Sequence, residues 1–493
     1  MRSSPARRGA LAALAVPLAL MLGGCATLGK VGKTVGPDYA PPAQVDGGAP
    51  PTIASAAEPI YAAASAADTL QSAWWHLYQD PTLDTLVSQA LAANTDLRVA
   101  AANLERSRAV LQEVSGGTRP TLGADASVVR TQPSGAAQGR PELPEVTAYD
   151  VGMSASYQLD LFGRVRRSLE AAGADTGAVR AAGDVARISV VAETARAYAD
   201  ACNAGYQLDV ATRTVRLQEE SLRLTERLRA AGRVGALDAT RSRALLAQAR
   251  AALPPLEAQR RTALFRLAVL TGRPPSEAPA QALGCRTPPR VATLIPVGDG
   301  TALLRRRPDV RAAERRLAAA TARIGVATAE LYPTVSFGAL VGSTARDPGD
   351  LPSKPALRFG IGPLVHFTLP NNGVARARIR QAEANTTAAL ADFDRTVLVA
   401  LRETETALTA YARELDRNAE VRAARDESAG ALQIARRLQA AGAAGSLDVL
   451  DAERSLASSE AALASSDALL STQQIAIFLA LGGGWDASPA AGR

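Results

Sequence analysis

Two kinds of hydrophobic periodicity alternate along the chain. In 147–161, Tyr149, Val151, Met153, Ala155, Tyr157 and Leu159 fall on one face and Asp150, Gly152, Ser154, Ser156, Gln158 and Asp160 on the other, the two-residue period of a strand. Segment 355–369 places Leu357, Phe359, Ile361, Val365, Phe367 and Leu369 on its apolar face, and 121–130 and 334–343 alternate more weakly. Helical spacing takes over elsewhere. Residues 164–231 and 374–440 contain no proline, and at ~1.5 Å per residue each reaches ~100 Å as a helix. In the first, Ile188, Val191, Ala195, Tyr198, Cys202 and Gly205 form a narrow seam at 3–4 spacing, of the coiled-coil kind. Gly232-Arg233-Val234-Gly235 and Gly442-Ala443-Ala444-Gly445 interrupt the helical pattern, so each long helix is predicted to fold back as an antiparallel hairpin.

The chain carries this order twice. A shift of 210 places 228–253 over 438–463, matching Leu228, Ala230, Ala231, Gly232, Gly235, Leu237 and Asp238 with Leu438, Ala440, Ala441, Gly442, Gly445, Leu447 and Asp448. The match extends outward from 96–124 onto 309–339. A unit of roughly two hundred residues is too long for a solenoid repeat, so the copies read as two structural halves. The first spans 69–273, with strands at about 119–131 and 146–161 and a hairpin tip at 232–235. Residues 274–306 link it to the second, 307–485, with strands at about 333–343 and 355–369 and a tip at 442–445; 486–493 form a tail.

About ten residues of alternation with one polar side suit a strand facing lipid, and also a soluble two-sided hairpin. If the strands span a membrane, four cannot close a barrel. An open edge in lipid leaves backbone groups unsatisfied, so several chains must then share one barrel.

The N-terminus bears on the compartment. Residues 1–24 run from a basic region through an apolar stretch to small residues, the layout of a secretory signal. "LGGC", Leu22 to Cys25, resembles a bacterial lipobox, with Cys25 as the acylated first mature residue. Residues 25–68, rich in Pro, Gly and Ala, read as an extended tether. Gly24 to Lys30 fits a phosphate-binding loop in spacing only, since Val31 stands where a metal-holding Ser or Thr belongs and no strand precedes it.

Composition narrows the functional classes. The 493 residues are 47% hydrophobic but 4% aromatic, a balance that favours long packed helices over a globular enzyme core. The net charge of +7 falls to +4 without Arg2, Arg7 and Arg8, and the arginines interleave with acids, so no basic patch marks a nucleic-acid surface. His76 and His366 are the only histidines and lie in different parts of the chain, which argues against a histidine metal or catalytic site; His366 reads as facing a barrel lumen. Cys202 and Cys285 either pair in an oxidising compartment or remain two buried thiols. Arg305-Arg306-Arg307 before Pro308 reads as a helix start rather than an anion site, and Trp74-Trp75 as packing.

These segments together resemble the TolC/OprM-type outer-membrane factors, in the lipoprotein branch that serves RND-type efflux pumps. The resemblance is carried by "VGPDYAPP" at 35–42, "WWHLYQDPTLDTLVSQAL" at 74–91, "YQLDLFGRVRR" at 157–167, "RRRPDVRAAERRLAAATARIGVATAELYP" at 305–333, "GSLDVLDAERSL" at 445–456 and "ALGGGW" at 480–485. It implies a mainly α fold with a β-barrel portion, and a homotrimer whose chains each give four strands to a twelve-stranded outer-membrane barrel. It implies diacylglycerol and N-acyl chains on Cys25. The turns holding Gly232, Gly235, Gly442 and Gly445 would be periplasmic tips that meet an adaptor (membrane fusion) protein beside an inner-membrane RND pump. Asp448 and Asp451, with Asp238 at the equivalent first-half position, would line an acidic pore constriction, or else simply cap helix starts. Where some members tie the closed tip with Arg and Tyr, this chain has Ala444 and Gln439. The function implied is a passive exit duct for small molecules, with a duct for type I protein secretion or a pore-free periplasmic scaffold as alternatives.

Overall fold

A computed structural model describes residues 32–42, 52–58, 60–62, 73–139, 141, 143–291, 295–297, 300–367 and 372–483. The signal segment, Cys25 and the tail lie outside the described residues. The helices are α1 (Pro81–Ala93), α2 (Thr95–Gly116), α3 (Arg164–Ala230), α4 (Ala236–Ala251), α5 (Leu253–Leu270), α6 (Gly300–Arg306), α7 (Pro308–Ala329), α8 (Asn372–Ala440) and α9 (Ser446–Ala480). The strands are β1 (Tyr61–Ala62), β2 (Thr121–Thr131), β3 (Val146–Leu159), β4 (Ile295–Pro296), β5 (Thr334–Ala345) and β6 (Leu357–His366). No described helix is long and apolar enough to cross a membrane.

Local chemistry sets the helix starts. Asp80 accepts from the backbone N–H groups of Thr82 and Leu83, with Pro81 at the first helical position of α1. Asn94 does the same for Asp96 and Leu97 at the start of α2. Asp160 accepts from the N–H groups of Val165 and Arg166, at 3.0 Å each. These side chains satisfy donors that a helix start leaves unpaired. The last also explains why β3 stops at Leu159 rather than at 161: Asp160 is spent on the following helix.

The chain divides into two compact units, each drawn from several parts of the sequence. The first takes up to Pro41, Glu105–Ala178 and Glu314–Asp392. It holds a four-stranded antiparallel sheet in the order β2-β3-β5-β6. Phe162 stacks on Tyr332 with ring centroids 4.4 Å apart. Residues 32–41 are not a free tether. Val35 is buried, Tyr39 donates to Glu314 at 2.6 Å, and Arg167 bonds both Asp38 and the Val35 carbonyl. Gly36, at φ +85°, sits so close to Gly325 that a Cβ would lie 2.5 Å from its Cα. Only glycine at both places allows that approach, which gives two motif glycines a shared purpose.

The second unit takes Pro42–Leu104, Val179–Ala313 and Phe393 onward. Its core stacks Trp74 on Phe478 at 4.7 Å, with Leu83, Leu86, Val191, Leu267 and Ile477 around them. All six seam residues from Ile188 to Gly205 are buried. Tyr198 donates to the second oxygen of Asp80 at 2.6 Å; burial and then this bond push the phenol well above its usual range. The tether reading fails here as well. Ala54 and Ser55 donate backbone N–H groups to Glu405, Tyr61 donates to the Leu408 carbonyl, and β1 pairs in parallel with β4. Proline and alanine content suggested an extended chain, whereas bonds to distant helices, invisible to local composition, dock it.

The structure adjusts three further expectations. Strand bounds move to 121, 345, 357 and 366; a 3-10 turn at Lys354–Ala356 delays the start of β6. The 274–306 linker, for which the sequence reading named no element, contains α6 and β4. The outgoing arm of the first hairpin breaks between α4 and α5, where Pro254 and Pro255 supply no N–H to the previous turn. The outgoing arm of the second, α9, runs through unbroken.

Candidate functional site

Two surfaces carry the functional reading: the four-stranded sheet and the hairpin tips. On one face of the sheet the register sets Leu122 beside Ala155, Ala339 and Ile361, and Ala124 beside Met153, Val341 and Phe359. Tyr157, Phe337 and Pro363 form a third row. This face is bare: Leu122 is 77%, Ile361 71% and Phe359 79% exposed. A row of large apolar side chains this exposed is not a stable water-facing surface.

The opposite face is built differently. Arg358 on β6 donates to Asp150 on β3 at 2.6 Å and to Thr344 on β5 at 3.1 Å, and Thr344 donates to Asp150 at 2.5 Å. The guanidinium reaches across because Gly152 and Gly342 lie beneath it; a Cβ at either would come within 3.3 Å of it. Asp125 stands beside Gly152 at the same level. Alternation had placed Asp150 on this face, but not Arg358 as its partner. The glycines opposite a long basic residue are the signal that could have found the pair. The face also holds Val129, Leu340 and Leu364, so it is mixed rather than wholly polar. His366 shares the polar face and borders a cavity with Asp160, Glu330 and Arg378. His76, elsewhere, meets Asp84 at 2.7 Å.

At the tips, the two repeats use one geometry. Gly232 at φ +68° and Gly442 at φ +74° end α3 and α8. Arg233 N–H bonds the Leu228 carbonyl and Gly232 N–H that of Arg229; Ala443 and Gly442 repeat this with Leu438 and Gln439. This double bond pattern with glycine in the left-handed region stops a helix within one turn. Gly235 and Gly445 then open α4 and α9, and their N–H groups are accepted by Asp238 at 3.1 Å and Asp448 at 2.9 Å. Asp238 and Asp448 therefore cap helix starts. Asp448 remains exposed, and Asp451, also exposed, is engaged by Arg454.

In the second unit Cys202 and Cys285 are disulfide-bonded, 83 residues apart in sequence. Arg286 pairs with Asp209, Arg290 with Asp467, and Val291 exchanges two bonds with Gln474. The linker is thereby held to α3 and α9 at several points. Arg307 of the triple-arginine segment is buried at the start of α7, bonded to Asp309, Glu403 and the Ala480 carbonyl. Burial opposes its charge, but the Asp309 and Glu403 bonds outweigh that and raise its pKa. Trp74 and Trp75 pack in the core.

A sheet with one bare apolar face and one mixed face that carries Asp150 and Arg358, on the same chain as two duplicated helical hairpins, fits the class of membrane channel proteins. The chain belongs to the outer membrane efflux protein family, which matches residues 86–273 and 301–483, one segment in each half. It is 32% identical to outer membrane protein OprJ of Pseudomonas aeruginosa over 97% of both chains, and 29% identical to nodulation protein T of Rhizobium leguminosarum bv. viciae over 92% of this chain and 91% of that one. Among solved structures, the outer-membrane channel OprN superposes with a TM-score of 0.85 at 37% identity, covering 92% of this chain and 99% of that one. The open state of the Neisseria gonorrhoeae MtrE outer membrane channel gives 0.79 at 29%, covering 92% and 98%. The protein is an outer-membrane efflux channel, of a transport family rather than an enzyme family.

Proposed function

We propose that three copies of this chain form the exit duct of a tripartite efflux system, passing small molecules from an inner-membrane RND pump and a periplasmic adaptor to the outside. The observation that carries the assembly is the sheet itself. Its edge strands, β2 and β6, each have one side without a partner strand among the described residues, and backbone groups in lipid must be paired. Three four-stranded sheets joined edge to edge leave no edge, with the apolar rows outward and Asp150, Arg358 and Asp125 inward. Acyl chains on Cys25 would anchor the duct to outer-membrane lipid.

The adaptor meets the tips at Gly232, Gly235, Gly442 and Gly445. Asp448 and Asp451 line the narrow end with Asp238 behind them. Their exposure supports this, and capping through one carboxylate oxygen leaves the other free to face cations. The relatives' names support small-molecule export over protein secretion: toluene efflux pump outer membrane protein TtgI and antibiotic efflux pump outer membrane protein ArpC, both from Pseudomonas putida, are 30% identical.

Single-channel recording of the purified protein tests the proposal. Heat-modifiable trimers with discrete currents are expected, and Asp448→Ala with Asp451→Ala is expected to raise conductance or weaken cation preference. A monomeric, non-conducting protein would overturn the duct; unchanged currents in the double variant would overturn the constriction alone.

A further inference from the structure

The two hairpins differ at one pair of positions near their tips. In the second, Arg436 on α8 donates to Glu453 Oε1 on α9 at 2.9 Å. Among the described residues this is the side-chain bond between α8 and α9 nearest the tip, and the next joins Ser428 to Ser459. The shift of 210 that aligns the repeats puts Glu226 and Arg243 at the equivalent places of the first hairpin. Both are exposed there, and among the described residues no ion pair joins them. The same shift puts Arg241 where the second hairpin has Asp451. The hairpin that carries both acidic tip residues is therefore the one that carries the buried pair.

The pair is poorly placed to stabilise anything. The Glu453 side chain is 2% exposed, and its Oε2 has no hydrogen-bond partner among the described residues. A buried carboxylate with one donor barely recovers its desolvation, and the best-attested use of such pairs is to fix a register. Helix geometry identifies the register. At about 100° per residue, Glu453 falls with Val449 and Leu450 on one side of α9, and all three are buried. Asp448 and Asp451 fall about 140–160° around the helix from Glu453, and both are exposed. Apolar packing by Val449 and Leu450 is non-directional and tolerates some rotation of α9. An ion pair to α8 does not.

We propose that Arg436 and Glu453 are positioning residues for the acidic constriction: their ion pair fixes the rotation of α9 about its own axis and so holds Asp448 and Asp451 toward the narrow end. The proposal rests on the exit-duct reading and on the constriction within it. The tie lies about 8 Å along α9 from Asp448, close enough that a turn of the helix there carries both carboxylates away together.

Single-channel recording of the full-length protein in planar bilayers tests this, with heat modifiability on gels as the check of assembly. Glu453→Gln keeps the shape and removes the charge. It is expected to raise the open fraction about tenfold, the order of one hydrogen bond to a charged group, and to weaken cation preference. Arg436→Lys is expected to give roughly a threefold rise, since it keeps the charge without the planar fork. In the Asp448→Ala, Asp451→Ala background, Glu453→Gln is expected to change cation preference no further. A wild type that forms no channel would overturn the duct and this proposal with it, and unchanged currents in the Asp448→Ala, Asp451→Ala variant would overturn the constriction and this proposal with it. Altered currents in that variant beside wild-type currents in assembled Glu453→Gln would overturn the positioning role alone. So would a further loss of cation preference in the triple variant, the mark of a pair that acts only through general stability. If Glu453→Gln does not assemble, Arg436→Lys, at a side chain that is 46% exposed, decides by the same currents.

Discussion

Replacement of Arg307 by Met removes a guanidinium that ties three helices. It donates to Asp309 at 3.1 and 2.7 Å at the start of α7, to Glu403 of α8 at 2.8 Å, and to the carbonyl of Ala480, the last residue of α9, at 2.9 Å. Breaking a buried charge pair costs about 3–5 kcal/mol, because the surviving partners are left desolvated. Two features pull the figure to the low end. The side chains of Asp309 and Glu403 are 32% and 44% exposed, so water can replace part of what they lose. The Ala480 carbonyl also keeps a weak bond from Thr404 at 3.4 Å. A loss of about 3 kcal/mol follows, roughly 150-fold in a local opening equilibrium. Arg307→Lys keeps the charge without the planar fork, and about half the loss is expected. Hydrogen exchange followed by mass spectrometry reads this directly: protection should fall in 300–310 and 476–483 and stay unchanged in the strands 121–131 and 334–345. Protection within about threefold of wild type at the α9 end, or a loss spread equally into the strands, would refute the reasoning.

Three other outcomes are expected. Thiol titration of the denatured, unreduced protein should find no reactive group from Cys202 and Cys285, and Ser at both should lower stability by up to roughly 4.5 kcal/mol, the chain-entropy limit for an 83-residue span; two reactive thiols would dispose of the bridge. Gly36→Ala forces a Cβ against the Gly325 backbone at φ +85°, so trypsin should cut after Lys33 in the variant under conditions that leave the wild type whole. Burial pushes the Glu405 carboxyl up, but bonds from Ser55 and Ala54 outweigh this and hold it below its usual range. Docking of 53–58 is then fully supported above the ordinary glutamate pKa and lost as pH falls through the lowered one. Amide protection there, corrected for intrinsic exchange, should follow that course and become flat in Glu405→Gln.

What the sequence determines by itself is everything set by short-range periodicity. The alternation of 147–161, the proline-free run 164–231 and the glycine tips each specify an element, because strand and helix repeat every two and 3.6 residues and a left-handed turn needs glycine. Duplication then multiplies a local signal, as when Asp238 and Asp448 bond the backbone of Gly235 and Gly445 alike. Even the broken arm of the first hairpin was written locally, in Pro254 and Pro255. Tertiary structure alone decided what long-range partners decide. Val35 and Glu58 look like parts of a tether until Arg167 and Arg413 bond to that segment. Arg307 looks like one of three equivalent arginines until Glu403 and Ala480 close around it. Arg358 finds Asp150 over two glycines on other strands. In each case the energy lies in groups more than 90 residues apart, and a local pattern has no means of naming the partner.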